Sequence, residues 1–196
     1  MGQIFRRAEQ YLDRIDNGVF VEIGSSRAGD DGSTNVIAAW AKQRNSHMVT
    51  VDFDPVVCAA LKGQNLDNVE IINSTGEDYL QSTKGPVSFL YLDNFDWDWH
   101  PLDTEAFVLE QQHRYGELGY SMTNLTSQMA HLTQTILIMP HMTPRSLIVC
   151  DDTWYNEHWG HYSGKSGAAV PYLISQGYRI LETEEYPTYG TILGRF

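Results

Sequence analysis

Positive charge is scarce in this chain. Its 196 residues carry 13 Lys and Arg against 25 Asp and Glu, a formal net charge of −12, and the few bases form no stripe. Such a balance repels a phosphate backbone unless a local patch overrides the mean, which argues against DNA or RNA and leaves a small molecule as the expected partner. Long apolar runs are missing as well. No stretch approaches the roughly 20 residues that cross a bilayer, and residues 1–7 lack the apolar core of a secretion signal. Cysteine is nearly absent: Cys58 falls in a predicted helix and Cys150 in a predicted buried strand. Both suit core thiols in a reducing cytoplasm better than a disulfide. No repeat, low-complexity tract or linker divides the chain, so residues 1–196 read as a single domain, and 42% hydrophobic content supplies a sizeable core.

What is present is an alternation of short apolar runs and helical patterns. Residues 3–16 suit an amphipathic helix, part of an N-terminal segment over 1–17 that would cap a sheet or meet a partner in a homo-oligomer. Strands are expected at 19–23, 48–52, 69–72, 87–92 and 147–150. Between them, Ser33-Thr34 suit a helix N-cap and Pro55 the first turn of a second helix. Residues 122–138 and 168–175 also read as helices, the latter stopped by Gly177. A terminal hairpin, 178–182 with 188–193 and Pro187 at its turn, completes an α/β three-layer sandwich. The long polar and aromatic stretch 94–121 has the glycines of a cover over a site at the sheet's edge.

The most informative segment is Val19-Phe20-Val21-Glu22-Ile23-Gly24-Ser25-Ser26-Arg27-Ala28-Gly29. A buried strand ends in an acid and opens into a loop of small residues, where backbone can approach a ligand closely. The second strand, Met48-Val49-Thr50-Val51, ends in Asp52. A carboxylate there can accept from both hydroxyls of a ribose, so a nucleoside across two strand tips is expected. The dinucleotide fingerprint G-x-G-x-x-G is not met, and Glu22, Asp30 and Asp31 would oppose a pyrophosphate. An acid at Glu22 instead suits a cofactor carrying an ammonium group.

The E-x-G-x-S-x-A-G segment from Glu22 to Gly29 resembles the first motif of class I S-adenosylmethionine (SAM)-dependent methyltransferases, and the order of elements is similar to their seven-stranded, Rossmann-like sheet, whose last strand runs antiparallel. The resemblance implies SAM as cofactor. Glu22 would orient the methionine ammonium through water or backbone. Gly24, Ser25, Ser26, Gly29 and Ser33 would shape the loop, Asp52 would hold the ribose with Phe53 against the adenine, and Ser74, Thr75, Gly76 and Glu77 would lie near the adenine edge. Asp93 would touch both cofactor and acceptor.

Strand ends at Asp93 and at Asp151-Asp152 resemble those of catechol O-methyltransferases, and Val149-Cys150-Asp151-Asp152-Thr153 resembles a segment of the cephalosporin hydroxylase-like group. These likenesses imply a hard-oxygen site at Asp93, Asp151 and Asp152 for Mg²⁺, Mn²⁺ or Ca²⁺. Gly164-Lys165-Ser166-Gly167 is similar to a Gly-Lys-Gly helix entry near such sites. One departure matters: the catechol enzymes place a lysine three residues past the fourth-strand acid, where this chain has Asp96. His158 and His161 are then the candidate bases. The aromatics Phe95, Trp97, Trp99, Trp154, Tyr155, Trp159 and Tyr162 are candidates for an acceptor pocket wall. The expected activity is O-methylation of a small hydroxylated metabolite, with metal assistance. A hydroxylase-like metal enzyme and a non-catalytic interaction protein on the same scaffold are the alternatives.

Overall fold

The computed structural model describes residues 4–26, 32–101, 105–185 and 189–196. Parallel strands β1 (Val19–Ile23), β2 (Met48–Asp52), β3 (Val69–Asn73), β4 (Val87–Leu92) and β5 (Met142–Asp151) join β8 (Arg179–Glu184) and β9 (Gly190–Arg195) in one seven-stranded sheet. Its order is β3-β2-β1-β4-β5-β9-β8, and β9 runs antiparallel to both its neighbours. This is the mostly parallel sheet with a C-terminal antiparallel hairpin that the pattern predicts. The chain winds one way from β1 to β3 and the other way from β4 onward, so β1 and β4 flank a switch point, where open sheets bind ligands beyond their carboxyl ends.

Alternation along the strands supplies the two faces. Phe20, Met48, Phe89, Tyr91, Leu147 and Val149 pack on one side against helix α2 (Ser33–Gln43) and the N-terminal segment. That segment is a short helix α1 (Ile4–Arg7) running into a 3₁₀ stretch (Ala8–Arg14), not the continuous helix expected over 3–16. Val21, Ile23, Val49, Val51, Leu90 and Leu92 face the opposite layer, which includes α4 (Gly76–Ser82), α6 (Asn124–Ile138) and α7 (Ala169–Ser175). Helix α3 (Pro55–Lys62) starts as expected at Pro55, with Asp54 as its N-cap accepting from the Val56 N–H at 2.8 Å. Cys58 and Cys150 are buried free thiols. No described helix is long and apolar enough to cross a membrane.

Two elements escaped the pattern. The stretch 94–121 contains α5 (Ala106–Glu117), whose buried residues are only Val108, Gln111 and Tyr115. So small an apolar face gives a weak periodic signal. After β5 the chain forms a separate antiparallel hairpin, β6 (Thr153–Asn156) with β7 (His161–Gly164), for which no strand was expected. Pro187, expected at the terminal turn, lies outside the described residues.

Candidate active site

Glu22 is central to the site although it never reaches the surface. Strand periodicity puts it on the α2 face beside Phe20, paired across to Thr50. Its carboxylate accepts from the hydroxyls of Ser33 (2.6 Å), Thr34 (2.7 Å) and Thr50 (2.6 Å). Thr34 Oγ1 in turn accepts from the Ser26 N–H at 2.9 Å, and Thr50 shares a hydrogen bond of 2.7 Å with Ser25. Burial raises the Glu22 carboxyl to about 7, against the pull of the three hydroxyls. The side chain therefore braces the loop from below and does not line the cleft above it. It reaches the loop only through Thr34, which holds the Ser26 N–H, and Thr50, which holds the Ser25 hydroxyl, an arrangement compatible with the indirect role expected of it.

Gly24 begins that loop at φ +91°, and a Cβ there would meet the Asn94 nitrogen at 2.4 Å, so the β1 and β4 ends touch backbone to backbone. Asp52 closes the adjacent strand. Its Oδ2 accepts from the Ser25 N–H (3.0 Å) and its Oδ1 from the Asp54 N–H (2.8 Å). It is 7% exposed and borders the cleft. Of the other residues predicted for a cofactor, Phe53, Thr75, Gly76, Glu77 and Asp93 line the same cavity with Gly24, Ser25 and Ser26. Ser33 sits beneath with Glu22, and Gly29 lies outside the described residues.

The cavity measures about 690 Å³. Its outer wall comes from Phe53 and from the stretch 94–121 expected to cover the site. Phe53 packs against Tyr115 and Tyr120 with ring centroids 4.8 and 4.9 Å apart, and Phe95 stacks beyond it at 6.3 Å. Phe107 from α5 completes the rim. Arg114 fastens this cover to the sheet by a two-pronged bond to Asp54, 3.0 Å from Nε and 2.9 Å from Nη2. The tryptophans lie elsewhere: Trp97, Trp99 and Trp154 pack on one another and on Tyr189, outside the cavity lining.

At the carboxyl ends of β4 and β5, carboxyl oxygens of Asp93, Asp151 and Asp152 lie within 4.8 Å of one another, as expected. Lys165 enters this cluster. Its Nζ lies 2.8 Å from Asp93 Oδ1 and 3.0 Å from Asp152 Oδ2, and the residue is 2% exposed. Burial alone would lower the ammonium's pKa, but Asp152, Asp93 and Asp151 outweigh it and hold it well above the ordinary lysine value. Asp151 is raised well above the carboxylate range, by burial first and then by its acidic neighbours. The other oxygen of Asp93 accepts from the Tyr91 hydroxyl at 3.2 Å. Two of the cluster's carboxyl oxygens are thereby engaged by a buried ammonium, whose charge opposes a divalent ion placed beside it, so the donor set as folded fits a metal poorly.

His158 and His161 are not at this centre. The pairing of Asn156 with His161 makes the intervening residues a hairpin tip, and both imidazoles are exposed there. A histidine that sequence reasoning passed over is more integral. His131 is fully buried on α6, its Nε2 2.7 Å from the Asn94 carbonyl and its Nδ1 2.6 Å from Ser166 Oγ. Burial lowers it to about 4. The neutral ring donates to the carbonyl and accepts from the hydroxyl, tying the loop after Asp93 to the residue after Lys165.

No protein-family model matches the chain, and no curated protein matches it significantly in sequence. Solved structures do match in fold. SMU.1697c of Streptococcus mutans, described as a methyltransferase and solved in complex with SAH, aligns with a TM-score of 0.57 at 10% identity over 100% of this chain and 99% of that one. CalS11, a TDP-rhamnose 3'-O-methyltransferase of calicheamicin biosynthesis, gives 0.54 at 14% identity over 97% and 77%. A protein from Clostridium thermocellum described as an rRNA methylase gives 0.56 at 11% over 99% and 97%. At such identities the likeness establishes the Rossmann-like methyltransferase fold and nothing narrower.

Proposed function

We propose that this protein is a SAM-dependent methyltransferase acting on oxygen of a small hydroxylated metabolite. The observation that carries the reading is Asp52. It is a buried carboxylate at the tip of β2, joined by hydrogen bond to the Gly24–Ser26 turn and open to a cleft at the sheet's switch point. In this reading Asp52 takes the ribose hydroxyls and Phe53 lies on the adenine. The turn at Gly24–Ser26 would approach the methionine moiety, and residues 74–77 would border the adenine edge. The fold shared with an SAH complex supports the choice of nucleoside.

Methyl transfer is a displacement at carbon. When bound, SAM would supply a methyl group to a lone pair of the acceptor oxygen as its methyl–sulfur bond broke, leaving S-adenosylhomocysteine (SAH), with the hydroxyl proton passing to solvent. Positioning supplies most of the catalysis in such a step. In this reading Asp93, which lines the cavity and is fixed by Lys165 and Tyr91, would accept a hydrogen bond from the acceptor hydroxyl. No lysine or arginine lines the cavity among the described residues, whereas Asp52, Glu77, Asp93 and Asp96 do. That lining disfavours a phosphate-bearing acceptor and supports a small uncharged or cationic one. A reducing, cytoplasmic setting, suggested by the two buried thiols, belongs to the same reading.

Calorimetry with SAM and SAH on the wild type and on Asp52→Ala tests it. Binding should weaken roughly 10- to 100-fold in the variant, the worth of hydrogen bonds to a buried charge. No binding of either compound to the wild type would sink the methyltransferase reading and favour a non-catalytic role.

A further inference from the structure

The acid cluster at the ends of β4 and β5 already contains a cation. Lys165 Nζ lies 2.8 Å from Asp93 and 3.0 Å from Asp152, and only 3% of its side chain is exposed. The placement is built by the backbone. Gly164 turns at φ +86°, so close to Asp152 that a Cβ would fall 1.8 Å from the Asp152 carbonyl oxygen. The Lys165 N–H donates to that same oxygen at 3.0 Å. On the next residue, the Ser166 N–H donates to Thr153 Oγ1 (2.9 Å) while its hydroxyl meets His131 (2.6 Å). Lysine is thus delivered to the cluster by a turn that larger residues could not make.

We infer that the Lys165 ammonium is the resident cation of this centre, filling the place a divalent metal would take and making the protein metal-independent. Acidic groups crowded together at half-buried strand ends favour a compensating charge, and one supplied by the chain opposes one supplied by solvent. The inference concerns the folded protein alone and stands whether or not the methyltransferase reading holds. It implies that the centre will accept a metal once the lysine is shortened.

Mn²⁺ binding, followed by electron paramagnetic resonance and calorimetry on the protein without added cofactor, tests this. The wild type should show no saturable Mn²⁺ site, and its thermal midpoint should not move with Mn²⁺ or with chelator. Lys165→Ala should bind one Mn²⁺ per chain and gain thermal stability with rising Mn²⁺, since a ligand that binds only the folded state stabilises it. Lys165→Met, which removes the charge but keeps the bulk, should bind Mn²⁺ more weakly than Lys165→Ala. A saturable Mn²⁺ site in the wild type, lost in Asp152→Asn, would overturn the inference. So would a folded Lys165→Ala variant with no gain in Mn²⁺ binding. If that variant does not fold, the wild-type titration decides alone.

Discussion

Replacing Glu22 by Gln removes an ionisable group from beneath the loop while keeping its shape, and the consequence should be visible in how stability depends on pH. The carboxyl is fully buried, and its pKa is raised from 4.5 to about 7. Between those values the folded protein retains a proton that the unfolded chain has released. Stability from this residue is therefore complete below pH 4.5 and is lost as the pH rises through 7. At 1.36 kcal/mol per unit, the loss amounts to about 3 kcal/mol. Glutamine has no such step. Its amide can donate to Ser33 Oγ while its carbonyl accepts from Thr34 and Thr50, so the two proteins should be close in stability near pH 4.5. Urea denaturation across the range gives the test. The difference between variant and wild type must be used, because His131, lowered from 6.5 to about 4, slopes the other way: its contribution falls as the pH drops through that window. In the difference His131 cancels, and Glu22→Gln should gain on the wild type by about 3 kcal/mol by neutral pH. A flat difference would refute the reasoning. A slope of opposite sign would show that the three hydroxyls outweigh burial and hold the carboxylate ionised.

Gly24→Ala should cost at least about 2 kcal/mol in denaturation and abolish SAH binding, because the new methyl would strike the Asn94 and Asp93 backbone at a left-handed φ; an unchanged denaturation midpoint would contradict this. Arg114→Ala should weaken SAH binding several-fold with little effect on the thermal midpoint. The Asp54–Arg114 bond ties the aromatic cover to the sheet, but the guanidinium is partly exposed; equal affinities in the two proteins would show that α5 is held by its packing alone.

The fold was largely legible in the sequence, since buried parallel strands are short, uniformly apolar runs and their tips are marked by Asp52, Asp93 and Asp151. One wall of the cleft followed, because the loop, the acid and the residues after β3 are local to those strand ends. The neighbourhood of Asp93, Asp151 and Asp152 could be inferred too, from strand order. Beyond this, distances along the chain misled. Lys165 lies 72 residues from Asp93 and Arg114 lies 60 from Asp54. Neither pairing has a period or spacing to betray it; the likeness of 164–167 to a Gly-Lys-Gly helix entry put Lys165 near the acids without showing that its ammonium would sit among them. His158 and His161 looked near the centre because they follow β5, yet β6 and β7 carry them outward, and His131 arrives instead from a helix. Glu22 shows the same division within one residue. Its presence at the strand end was written in the sequence, but whether it faces a ligand or the hydroxyls under the loop was decided by which side of the pleat α2 covers. Local periodicity sets what each segment becomes; the charge of each acid, and which cation answers it, depends on segments that meet only when the sheet closes.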